Sequence, residues 1–258
     1  TGHPNCLAVW VPCAGAPVPV TFNVSPQDMT HLRSEAIQRW WPTTQALDLV
    51  EGNHEIVAAA VHAEVSRLVG NETVSTSWEV FKNLDAAFGA ATEFANVPTF
   101  YLVLPTHSKW SVLWNNSFLC DGYDSLCHCL TLNHALTTLH WSAHDDWTSM
   151  QSGARFCHRQ VSGSNVLERS VHASQQDTKW EFFESGPALK EEDLQLYKAR
   201  HKRDRLNEER MSQLLARLGA SPWSEQFYAL SKPCFVIRRT TSPSTIVTRC
   251  REDVLKPG

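Results

Sequence analysis

Three of the eight cysteines fall within Phe118–Cys129, "FLCDGYDSLCHC", beside a histidine and two aspartates. Such residues can hold a metal ion or supply a thiol nucleophile. Spacing separates the two chemistries. If Asp121 to His134 is helical, Cys127 and Cys129 stand about 200° apart around the axis and cannot grip one ion. Cys127 and His134 share a face but lie about 10 Å apart along it, too far for one tetrahedral zinc with bonds of about 2.0–2.3 Å. No C-x-x-C pair occurs in the chain, and no metal site is expected.

The thiol reading centres on Cys120, where a strand ends and the helix is about to begin. Unpaired backbone N–H groups and the helix dipole there favour a thiolate. In the following strand His140, Ser142 and His144 alternate onto one face. His140 or His144 could act as general base for Cys120, oriented by Asp145 or Asp146, a set suited to acyl transfer. The order of Cys, helix and His-bearing strand is similar to papain-type hydrolases such as the NlpC/P60 peptidases. The local residues do not carry that family's Asp-Cys-Ser-Gly motif. The opposing reading is packing: a helix with Tyr123, Leu126, Cys127, Leu130 and His134 on one side has an ordinary core face, and free cysteine is among the most buried residue types.

Other constellations are sparser. His54-Glu55 resembles the start of H-E-x-x-H, but the next histidine is His62, so the one-turn spacing fails. Lys198, Arg200, Lys202 and Arg203 lie in "KARHKRDR", a candidate basic binding face, yet "KEED" and "NEER" on either side supply compensating carboxylates. Ten tryptophans are many for this length. Most should be core, and an exposed subset would mark a binding surface. Gly-rich phosphate loops, G-x-S-x-G elbows and EF-hand patterns are missing, so no cofactor is expected.

The elements that would position these residues follow from periodicity and punctuation. Residues 1–25 read as extended, followed by a helix from Ser25 to Pro42. "NHEIVAAAVHAEVSRLVG" is an amphipathic helix with Asn53 as N-cap and Gly70 as stop. Two similar units follow: strand 77–84, helix 85–96 and strand 99–104, then strand 109–115, helix 121–134 and strand 137–144. The order β-α-β-β-α-β predicts a split βαβ, ferredoxin-like plait with both helices on one face. "ARFCHRQV", "VLERSVHAS" and "KWEFFES" extend it as a meander. Two helices dividing at Asn207 and a basic tail with strand-like "CFVIRRT" complete the chain.

The expectation is therefore an α+β protein with a mainly antiparallel sheet. Its 258 residues divide into 1–71 (extended segment and helices), 72–186 (sheet domain) and 187–258 (helices and basic tail). Net charge is −4, which gives no overall attraction to nucleic acid or anionic lipid. No apolar run is long enough to span a membrane. Cysteine usage of about 3% is far below that of a disulfide scaffold, which favours a soluble, cytoplasmic protein. Between function classes, the missing complete catalytic set favours a protein that binds another protein. The alternative is a cysteine hydrolase using the Cys120–His dyad.

Overall fold

The computed structural model describes residues 33–40, 43–70, 73–118, 122–144, 153–176, 179–240, 246 and 248–250, with the side chains of His144 and Gln176 excepted. Its helices are α1 (Glu35–Arg39), α2 (His54–Val69), α3 (Leu84–Phe88), α4 (Tyr123–His134) and α5 (Glu208–Arg217). Its strands are β1 (Ala46–Glu51), β2 (Thr73–Glu79), β3 (Phe94–Ala95), β4 (Phe100–Leu104), β5 (Trp110–Asn115), β6 (Thr137–His144), β7 (Gly153–Ser162), β8 (Asn165–Gln176), β9 (Lys179–Ser185), β10 (Cys234–Thr240) and β11 (Thr248–Arg249). Nine of them form one sheet in the order β2-β10-β4-β5-β1-β6-β7-β8-β9, and the short β3 and β11 pair separately. All neighbours in the large sheet are antiparallel.

Alternation along the central strands divides the core into two layers, as a sheet covered on both faces requires. Leu47 and Leu49 of β1, Leu102 of β4, Trp114 of β5 and Trp141 of β6 pack with residues of α1, α3 and α5. Val50, Val103, Leu113 and Ile237 point the other way, against Val57 and Val61 of α2 and Leu126 and Leu130 of α4. Helix starts follow side-chain caps. Asn53 accepts from the Glu55 and Ile56 amides, Asn83 from Ala86 and Asn207 from Arg210, each satisfying donors that the first turn leaves open. The first described helix is capped by Ser34; the stretch from Ser25 to Leu32 lies outside the described residues.

The meander β6-β7-β8-β9 is adjacent and antiparallel, as the turn clusters predict. The two-unit plait is not formed as expected. β2 and β4 are separated by β10, and β5 and β6 by β1. The inserted strands therefore come from outside 72–186, and the sheet draws on all three stretches of the chain. Leu84, Ala87 and Phe88 of α3 lie in one core layer and Leu126 and Leu130 of α4 in the other, so the helices occupy opposite faces. The reason is burial. "CFVI" of β10 is buried at every position, as is "ALDLV" of β1. Such strands need a neighbour on each side, and β10 and β1 take the gaps that a split βαβ plait fills with a strand of the other unit.

The helix expected before Asn207 is also replaced, by two 3₁₀ turns at Leu196–Lys198 and Lys202–Asp204. Glu192 explains this. Its buried carboxylate accepts from the Leu189 amide, from Arg169 and from the Tyr197 hydroxyl, which fixes the chain against the sheet instead of coiling it. Gly186, at φ 76°, makes the exit from β9 possible: a Cβ there would collide with the Glu168 carbonyl, and the positive φ suits only glycine.

Candidate functional site

His140 lies on the middle of β6, directly paired with Asp48 of β1. The His140 Nδ1 is 2.7 Å from Asp48 Oδ1, with the two side chains 2% and 0% exposed. This pair sits beneath the first turn of α4. The Tyr123 ring lies roughly parallel to the imidazole, 6.3 Å between centroids, and its hydroxyl accepts from the Asn115 amide at 2.8 Å. Cys127, one turn on, stands beside Asp48. Burial, and then the Asp48 charge, push the Cys127 thiol well above its ordinary pKa, so it is no nucleophile. His140 Nε2 is buried and has no hydrogen-bond partner among the described residues, whereas the Asp48 carboxylate is also within reach of the Cys127 thiol. A histidine fixed at Nδ1 by a carboxylate has its orientation set and its other nitrogen available.

A second feature is an open cleft of about 440 Å³ at one end of the sheet. The C-terminal ends of β1, β2 and β4 meet the starts of β5, β10 and α2 there. Its walls include His54, Trp78, Trp110, Ser111, Lys232 and Pro233. Trp78 is 48% exposed, although its ring packs at 4.8 Å on Phe235 and edge-on to His54 at 5.5 Å. His54 Nδ1 lies 3.3 Å from the Ser111 hydroxyl. The Pro233 backbone lies near the ring and favours its protonation, and the buried Nε2 has no well-formed hydrogen bond among the described residues. Burial dominates and holds the His54 pKa below its ordinary value. Lys232 is exposed and forms no ion pair among the described residues.

Of the residues singled out for acyl transfer, Cys120, Asp145 and Asp146 lie outside the described residues. The backbone of His144 pairs with Gly153. His140 is oriented by Asp48, which sequence reasoning did not single out because β1 went unrecognised. Its signal is a single carboxylate inside "ALDLV", an otherwise apolar run. Lys198, Arg200, Lys202 and Arg203 are exposed, but Lys198 lies in the first 3₁₀ turn, Lys202 and Arg203 in the second and Arg200 between them, so they share no helix face. Lys198 contacts Gln195 and Arg203 contacts Asp204. His54, whose spacing to His62 excludes H-E-x-x-H, lines the cleft instead. In α4, Cys127 is buried and Cys129 half-buried, and Cys129 accepts from Arg67. Among the described residues no group of three or more His, Cys, Asp or Glu side chains could hold a metal, and no helix is long and apolar enough to cross a membrane. No protein-family profile, curated protein or solved structure matches the chain.

Proposed function

We propose that this chain is a protein-binding module that receives a peptide segment of its partner in the cleft at the end of the sheet. The observation that carries this reading is Trp78, the one tryptophan side chain about half exposed among the described residues, on the wall of an open cleft. Exposed tryptophans in concave sites are typical binding anchors. Lys232 adds a charged contact for an acidic side chain, and His54, edge-on to Trp78, holds that ring in place. The exposed residues Lys198, Arg200, Lys202 and Arg203 lie outside the cleft and form a separate basic rim.

A displayed library of random peptides, selected on the immobilised full chain and followed by affinity measurement on enriched peptides, tests the reading. Trp78→Ala and His54→Ala should each weaken binding about tenfold or more, the scale of about 1.4 kcal/mol. Peptides that bind these variants as tightly as the parent chain, or no enrichment at all, would sink it.

The Asp48–His140 pair favours a second reading, the cysteine hydrolase. Here Cys120 is the nucleophile, His140 the base and Asp48 the orienting acid. The burial of His140 to 1% exposure and the location of the cleft elsewhere weigh against it. Alkylation of the native protein across pH, with Cys120→Ser to assign the fast site, separates the readings. A thiol fully reactive well below about 8.5 would favour the hydrolase, and a Cys120 that reacts only as an ordinary thiol would not.

A further inference from the structure

The two edges of the nine-stranded sheet are treated differently. At one end, β9 carries Lys179, Glu181 and Glu184 along "KWEFFES", and the 3₁₀ turn at Lys202–Asp204 packs against it, with Arg205 over the Phe182 ring. These are the usual devices that stop a sheet from adding strands. At the other end, β2 is hydrogen-bonded among the described residues only to β10, and "TVSTSWE" has no proline, no lysine and a single charge, Glu79. That charge is already paired with Arg238 at 2.8 Å. Thr73, Ser75, Thr76 and Trp78 are exposed. An unguarded edge of seven residues offers a row of free backbone donors and acceptors.

We infer that β2 is a homodimer interface, on which the β2 strand of a second copy adds antiparallel about a two-fold axis through Thr76. The strand's own pattern selects this occupant. With Thr76 opposite itself, Ser75 meets Ser77, Val74 meets Trp78 and Thr73 meets Glu79. Every pair is compatible across an antiparallel ladder, and no like charges face each other. On the face shared by Val74, Thr76 and Trp78, a half-buried Val74 covers the exposed Trp78 ring of the other copy at both ends of the ladder. An isologous contact of this kind closes after two copies, giving one continuous sheet across the dimer. The dimer covers the Trp78 ring that also lines the cleft, so a second copy and a peptide exclude each other there; Thr76 is not a cleft residue, and its variants test the edge without altering the cleft walls.

Sedimentation of the full chain from low micromolar to a few hundred micromolar concentration tests it. The parent chain should double its mass, and hydrogen exchange at β2 amides should slow as concentration rises. Thr76→Lys and Thr76→Glu place a like charge against itself at the two-fold axis, and each variant should stay monomeric. Mixing the two should restore a dimer, because Lys then faces Glu. Thr76 is exposed, so both variants should retain the parent circular dichroism. A monomeric parent chain with concentration-independent exchange at β2 overturns the inference. So does a dimer that survives both substitutions, or a mixture that stays monomeric.

Discussion

His140 Nδ1 and Asp48 Oδ1 face each other at 2.7 Å from directly paired positions on β6 and β1, inside a layer sealed by α4. Removing either partner leaves the other buried and unpaired, which typically costs about 3–5 kcal/mol. Asp48→Ala and His140→Ala should each destabilise the chain by about 3 kcal/mol in urea unfolding. The double variant should fall short of the sum by about 1–3 kcal/mol, the coupling of residues in direct contact. Additive costs would show that the pair is not bonded in solution.

Stability should fall as pH drops from 7 toward 5. Burial lowers the pKa of His54 and of His158 below the ordinary 6.5. Glu55 raises the His54 pKa and Lys232 lowers it, while around His158 Glu51 raises and Lys109 lowers it. A histidine that resists protonation in the folded state leaves the unfolded chain binding more protons between the two pKa values. Stability is therefore intact above 6.5 and is lost as pH falls from there to the folded pKa. His54→Gln with His158→Gln should flatten the midpoint of denaturant unfolding over that window. An unchanged slope would remove these groups as the cause.

Arg169 is the anchor of the chain after β9. Its guanidinium, 4% exposed, donates to Glu192 at 2.8 and 2.9 Å and to Glu184 at 2.7 Å. Arg169→Met would leave the fully buried Glu192 carboxylate without its cation, at a cost of about 3–5 kcal/mol. Limited proteolysis should then cut first between Gly186 and Asn207. Cleavage spread evenly over the chain would mean that Arg169 holds the whole fold rather than this segment.

Thiol accessibility should follow burial. The pKa values of Cys157 and Cys234 are raised by burial to about 12, and Cys127 is likewise raised by burial and by Asp48. Cys250 is exposed. In native protein at pH 8, mass spectrometry after brief alkylation should find Cys250 modified and Cys127, Cys157 and Cys234 intact until denaturant is added. Rapid native labelling of Cys127 would contradict its packing under α4.

The sequence alone determined what local rules determine. Asn53, Asn207 and Gly70 mark helix ends, and β6 and β9 follow from alternation bounded by turn residues at Thr137–His144 and Lys179–Ser185. The two faces of β6, with His140 and Ser142 opposite Leu139 and Trp141, follow from the period of two. Only the tertiary structure decided which strands meet. β1 and β10 are buried on both faces and carry no alternation, so no local signal says that they separate β2 from β4 and β5 from β6. Asp48 reads as a break in an apolar run until His140, 92 residues away, supplies its partner. Trp78 and His54 form a cleft only because strand ends and the start of α2 converge there, a relation between distant segments that spacing along the chain does not encode.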